Sequence, residues 1–251
     1  MEILQASGVT RYFGGVAAID GVDFGVKKGE IFGLIGPNGA GKTTLLNMIS
    51  GIHPLSKGEI KFKGEVISGK KPWDIAKSGI ARTFQIVKPF NGMTVRENVA
   101  VGALFGHVGK PSALKVALEQ ADRTLEFVQL DHKRNSLASE MTLAQRKRLE
   151  LARALAMEPE LLLLDEVMAG LNLKEVAEIM ELIKKINESG VTILIIEHVM
   201  KVIMEISDQV LVLYYGRKVA LDKPQAISVN PKVIEIYLGE RYVAKQKMRK
   251  S

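Results

Sequence analysis

Gly36-Pro37-Asn38-Gly39-Ala40-Gly41-Lys42-Thr43 fits the pattern G-x-x-x-x-G-K-[ST]. Glycines are needed at these spacings because successive backbone N–H groups must curl around a phosphate, and side chains there would block the approach. In that loop Lys42 reaches the β- and γ-phosphates, and the Thr43 hydroxyl takes a Mg²⁺ position. Ile31-Phe32-Gly33-Leu34-Ile35 before it reads as a buried strand, and Thr44-Leu45-Leu46-Asn47-Met48-Ile49 after it has helical apolar spacing. The loop therefore aims a helix N-terminus, with Thr44 in its first turn, at an anion.

Upstream, short apolar segments alternate with Gly-rich turns: Glu2 to Gln5, Ala17 to Asp20 and Val22 to Val26. Tyr12-Phe13-Gly14-Gly15 sets adjacent aromatics before a flexible pair, and either ring is a candidate to stack on a nucleobase. Downstream, Gly58 to Ile67 alternates and turns at Lys63-Gly64, which predicts a hairpin. These strands are expected to form a small antiparallel sheet. Ile80 to Gln85 is a further strand candidate, after which Pro89, Asn91 and Gly92 break the pattern and place a domain junction. From Thr94 to about Met157 the period is helical, and Leu114, Leu118, Ala121, Leu125 and Val128 give one helix an apolar face.

Leu161-Leu162-Leu163-Leu164 ends in Asp165-Glu166. Strands buried on both faces read as continuous apolar runs, and ligands bind beyond their carboxyl ends. Asp165 is thereby expected where the loop holds phosphates, as a Mg²⁺ ligand directly or through water, with Glu166 orienting and deprotonating an attacking water. A helix from Leu173 to Asn187 and a strand from Val191 to Ile196 follow, and His198 again lies beyond a strand's carboxyl end, placed to meet a γ-phosphate. Strands over Gln209 to Tyr214 and Lys218 to Leu221 precede short helices near 225–227 and 233–237.

The formal charge is +7 and the chain has no cysteine, which excludes disulfides and thiolate metal sites. Positive charge suits a nucleotide, anionic lipid or nucleic acid alike. The densest cluster is the tail Lys245, Lys247, Arg249 and Lys250, read as a solvated terminus. No apolar run approaches the roughly 18 residues of a membrane span and no signal peptide is visible, so work at a membrane would need another chain to cross it.

These motifs, in this order, resemble the ATP-binding cassette subunit of an ABC transporter over almost the whole chain. Phe13-Gly14-Gly15, Ala81-Arg82-Thr83-Phe84-Gln85, Ala169-Gly170-Leu171-Asn172, Ile196-Glu197-His198 and Val233 to Glu240 are similar to the cassettes of branched-chain amino acid importers. The resemblance implies an α/β fold: a P-loop NTPase (RecA-like) core with a mostly parallel sheet over 31–55, 69–88 and 158–222. It adds an antiparallel β subdomain over 1–30 and 56–68, an α-helical signature subdomain over 89–157, and C-terminal helices with a basic tail over 223–251. It implies ATP and Mg²⁺, with Phe13 stacking on adenine and Tyr12 as the fallback. Gln85 would sense Mg²⁺ and the γ-phosphate, Glu166 would be the general base and His198 the switch histidine.

Partners follow from the same resemblance. A second cassette, identical or different, closes head-to-tail; transmembrane permease subunits and an extracytoplasmic binding protein complete an uptake system. The chain would sit peripherally on the cytoplasmic face of the membrane, with no nucleic acid expected. An exporter cassette is the nearest rival. A soluble cassette acting on nucleic acid, or a nucleotide-gated module without hydrolysis, comes next.

The sequence departs from the family at Met141-Thr142-Leu143-Ala144-Gln145, where the signature is Leu-Ser-Gly-Gly-Gln. Thr142 keeps a hydroxyl, and Ala144 and Gln145 stay in the first turn that would face the partner's ATP. Either lost glycine would bring strain at Leu143 or Ala144 if its φ were positive. Val167 also replaces the usual proline after Glu166, which predicts a small shift of that loop.

Overall fold

Two twelve-residue strands open the chain, β1 (Glu2–Phe13) and β2 (Val16–Lys27). They pair antiparallel with their inward residues, among them Leu4, Val9, Ile19, Val22 and Val26, fully buried. The sequence suggested separate short segments with a turn near Gly21. The structure instead carries both apolar segments in one strand, because its register shifts near Gly8 and Gly21 are bulges that bend β1 and β2 without ending them. β3 (Ile31–Ile35) is buried at every position and leads into α1 (Lys42–Ile49). β4 (Lys57–Phe62) and β5 (Glu65–Val66) turn at Lys63 (φ 53°) and Gly64 (φ 83°), two positive angles of the kind a type I′ turn requires. The antiparallel sheet has the order β2-β1-β4-β5.

The computed structural model describes residues 1–85, 88–106 and 113–238. By its contacts the chain forms two units, Met1–Lys70 with Leu194–Ser251, and Lys71–Ile193. This partition is coarser than the subdomains expected from the sequence.

The second unit begins with α2 (Pro72–Lys77) and β6 (Ile80–Arg82). β6 is shorter than the expected strand because the Phe84 N–H donates to Glu150 Oε1 at 2.6 Å and not to a strand neighbour. α3 (Val95–Phe105), α4 (Leu114–Phe127) and α5 (Leu143–Leu155) pack together, and α3 and α5 approach closely at Gly102. A Cβ there would lie 2.2 Å from the Arg153 carbonyl oxygen. On α4 the buried face is Ala117, Ala121 and Leu125, followed by Val128 just past the helix end. Leu114, expected on that face, is the first helical residue and is 62% exposed. β7 (Leu161–Asp165) is buried throughout and pairs parallel with β6; α6 (Leu173–Glu188) follows it, capped by Asn172.

β8 (Thr192–Ile196) carries the boundary back to the first unit, which continues with α7 (Met200–Ile206), β9 (Gln209–Tyr214), β10 (Arg217–Asp222), α8 (Pro224–Val229) and α9 (Pro231–Leu238). β3 and β9 are parallel and β9 and β10 antiparallel. Gly33 on β3 faces α7, and a Cβ there would stand 2.8 Å from both Ile203 Cγ2 and Ser207 Oγ. The basic tail lies outside the described residues. The protein is thus a mixed α/β fold with parallel strand pairs and a separate antiparallel sheet.

Candidate active site

In the first unit the loop Gly36-Pro37-Asn38-Gly39-Ala40-Gly41 joins β3 to α1. Gly36 has φ 153° and Gly41 φ 101°, and a Cβ on either would come within 2.2 Å of the Leu213 oxygen or 2.4 Å of the Ala18 oxygen. Their glycine identity is therefore set by the backbone packed behind the loop. Ala40 accepts the Gly216 N–H at 3.0 Å, and a Gly36 backbone hydrogen bond reaches the Tyr237 phenol on α9, which burial pushes up to about 12.

Lys42 is 6% exposed, and its Nζ donates to the carbonyls of Gly36 (2.7 Å) and Pro37 (3.1 Å). Thr43 is exposed on the first turn of α1 and Thr44 half-buried. No side chain caps α1 and no acidic residue stands in its first turn. The donors of that turn thus face outward with the positive end of the helix dipole, a set that fits a polyphosphate. His198 is exposed in the link between β8 and α7. Phe13 is 42% and Tyr12 39% exposed at the end of β1, with the Arg11 guanidinium 4.6 Å from the Phe13 centroid and the His53 ring 5.3 Å away at 78°.

In the second unit β7 delivers Asp165 and Glu166, both buried. Arg82 Nη2 donates to Asp165 Oδ2 at 2.9 Å, with side chains only 7% and 2% exposed. Burial pushes the Arg82 guanidinium down from its ordinary value, and the Asp165 charge opposes that shift. Gln85 Nε2 donates to Glu166 Oε2 at 2.8 Å, so the residue expected to sense the γ-phosphate already touches the expected base. Glu166 has φ 52°, a left-handed conformation costing about 1–3 kcal/mol in a non-glycine residue and common at working sites. Its carbonyl accepts from Lys147 Nζ at 3.2 Å and from the Ala169 N–H at 3.2 Å. Lys147, 3% exposed on α5, also donates to the Gln85 carbonyl at 3.4 Å. One buried ammonium thus ties the backbones of Gln85 and Glu166.

Thr142 caps α5 in a reciprocal box with Gln145: Thr142 N–H donates to Gln145 Oε1 at 3.0 Å, and Gln145 N–H to Thr142 Oγ1 at 3.4 Å. Leu143 and Ala144 are absent from the positive-φ residues, so the replacement of two glycines introduces no backbone strain. Leu143, however, stands 48% exposed where a glycine would leave nothing.

Arg82 and Lys147 were not expected from the sequence as parts of the site. A charged residue directly after Ile80-Ala81 in a buried strand was the available signal for Arg82, since arginine enters a core only when paired. Removing one partner of such a pair costs about 3–5 kcal/mol, whereas replacing both by apolar groups is close to neutral. Arg82→Met is therefore expected to lower the denaturant midpoint sharply and Arg82→Met with Asp165→Leu to recover most of the loss, as urea unfolding would read.

A family model described as ABC transporter matches residues 19–169. The high-affinity branched-chain amino acid transport ATP-binding protein BraF of Pseudomonas aeruginosa is 40% identical over 250 residues, 95% of this chain and 98% of that protein. The probable branched-chain amino acid transport ATP-binding protein LivG of Archaeoglobus fulgidus is 38% identical, over 95% and 96% of the two chains. The crystal structure of the ADP conformation of an ABC transporter cassette superposes with a TM-score of 0.84 at 33% identity, covering 96% of this chain and all of that one. A dimeric cassette in a post-hydrolysis state with ADP and Pi gives 0.78 at 25% identity, over 88% and 98%. With a family match over more than half its length, and relatives of this identity spanning nearly all of it, the chain belongs to the ABC transporter family.

Proposed function

We propose that this chain binds and hydrolyses ATP as the cassette of an importer for branched-chain or related amino acids. The substrate reading is supported by the names of relatives at 38–40% identity over nearly the full length. The hydrolytic reading is carried by one observation, the Gln85 amide seated on the Glu166 carboxylate at 2.8 Å.

In this reading the loop amides and Lys42 hold the triphosphate, Lys42 leaving the Gly36 and Pro37 carbonyls for phosphate oxygens. Thr43, Asp165 and Gln85 carry hard oxygen donors of the kind Mg²⁺ takes. Held there, the ion would neutralise charge on the phosphates. Glu166 takes the proton of the attacking water, and His198 donates toward the γ-phosphate. Thr142, Ala144 and Gln145 face the ATP of a second cassette. There Leu143 adds bulk where the family signature has a glycine, so the face this chain offers its partner is weaker than its own loop.

Among the described residues no helix is long and apolar enough to cross a membrane; in this reading transmembrane permease subunits are the partners. The second unit offers such a partner a groove of about 640 Å³. Phe84, Phe105 and Met157 give it an apolar lining, and Lys88 and Arg153 a cationic edge. Phe84 and Phe105 are 51% and 67% exposed, more than an isolated domain gains from leaving in water. An amphipathic segment with acidic residues fits it.

The test is to purify the protein from membranes with its native partners and measure ATP-driven uptake of leucine, isoleucine and valine into vesicles. Wild type is expected to carry membrane chains with it and to support uptake of at least one of the three. Phe105→Asp is expected to lose those chains while still binding ATP. Uptake of other solutes alone would overturn the substrate assignment.

A further inference from the structure

The contacts around Phe13 go beyond an aromatic ring near a nucleotide. Arg11 lies over the Phe13 ring at 4.6 Å, inside the roughly 6 Å range of cation–π attraction. Arg11 Nε is buried and has no hydrogen-bond acceptor, so at that atom the ring takes the place of a polar partner. His53 meets the same ring nearly at right angles, at 5.3 Å. The His53 N–H donates to the Asn47 carbonyl at 3.0 Å, and Asn47 belongs to α1, the helix that starts at Lys42.

The end of β1 is stitched to the same turn. Tyr12 N–H donates to Ser56 Oγ at 3.1 Å, and Ser56 N–H to the Thr10 carbonyl at 2.8 Å. On the other side Phe13 pairs with Val16 and Tyr12 with Ala17, while the Ala18 carbonyl is so near the phosphate loop that Gly41 admits no Cβ. The ring is thus referenced to the loop from two directions, through the hairpin and through α1. With a cation behind it, the ring still leaves 42% of the residue's surface to solvent.

We propose that Arg11, with His53, is a positioning residue that fixes Phe13 as the platform for the nucleobase of ATP, at a distance preset from the phosphate loop. This rests on the reading of residues 36–43 as the phosphate site. Arg11 touches the ring, so its effect belongs to the base half of the ligand. A guanidinium lost from behind an aromatic ring removes both the attraction that orients the ring and the packing of its stem.

The experiment compares ATP with inorganic tripolyphosphate, which carries the phosphates and no base. Dissociation constants for both, with magnesium present, are measured by calorimetry on the full chain as wild type, Arg11→Ala, Arg11→Lys and Phe13→Ala. Arg11→Ala is expected to weaken ATP by about 3- to 30-fold and to leave tripolyphosphate within about twofold. Arg11→Lys restores part of the ATP affinity, because an ammonium also binds a ring face, and Phe13→Ala loses at least as much as Arg11→Ala. Equal weakening of both ligands, or no weakening of ATP, overturns the proposal. Failure of wild type to bind either ligand would instead overturn the phosphate loop itself.

Discussion

Glu166→Gln is expected to leave ATP bound and to lower its hydrolysis by about 10²–10⁴-fold, the usual contribution of a positioned general base. The substitution keeps the shape of the side chain. Glu166 sits at φ 52° with its carbonyl fixed by Lys147 and Ala169, and glutamine imposes no different demand on that backbone. The amide oxygen of a glutamine can still accept from Gln85 Nε2, which meets the carboxylate at 2.8 Å. What disappears is the ability to take a proton, so the loss falls on the chemical step. Single-turnover hydrolysis by the reconstituted complex, with nucleotide occupancy measured in the same sample, separates the two quantities. Hydrolysis at the wild-type rate would show that this subunit's own site is not the working one.

Lys42→Ala is expected to weaken ATP binding by the isolated subunit by roughly 30-fold or more. The residue is 6% exposed and its ammonium donates to the Gly36 and Pro37 carbonyls, so it is already desolvated. In this reading bound ATP gives it a formally charged phosphate partner. Truncating a buried, hydrogen-bonded charge opposite such a group costs about 2–5 kcal/mol, or roughly 30-fold to several thousand-fold in affinity. The same calorimetry reads the result, with a thermal melt to establish that the loop still folds when Gly36 and Pro37 lose a donor. Unaltered affinity would mean that residues 36–43 do not hold phosphate.

The parts of this fold legible in the sequence are those whose cause is local. β3 and β7 have five consecutive buried positions each, and only a strand covered on both faces reads as an unbroken apolar run. The loop between β3 and α1 is legible because its glycines stand at fixed offsets. The hairpin at Lys63-Gly64 is legible because two adjacent positive φ angles narrow the residue choice. Glu166 and Asp165 could be placed at a strand end for the same reason.

Their partners could not. Arg82 and Asp165 lie 83 positions apart, and Gln85 and Glu166 81. Among the described residues three α-helices intervene, and no periodicity records which side chain they bring back. Gly21 reads as a turn in sequence and acts as a bulge, since an isolated glycine is equally at home in both. The environment of Leu143 and Ala144 was open for a related reason: glycine tolerates a positive φ without requiring one, and here the positions are helical.

Gly33 has a mechanical consequence. β3 and α7 meet there more closely than a methyl group permits, and the atoms across the gap belong to Ile203 and Ser207. No side chain on the strand stands between them to swing aside and absorb a shift. A side chain at position 33 would therefore wedge the strand that feeds the phosphate loop away from the helix that begins just after His198, and Gly33→Val is expected to disturb both ends of that contact at once.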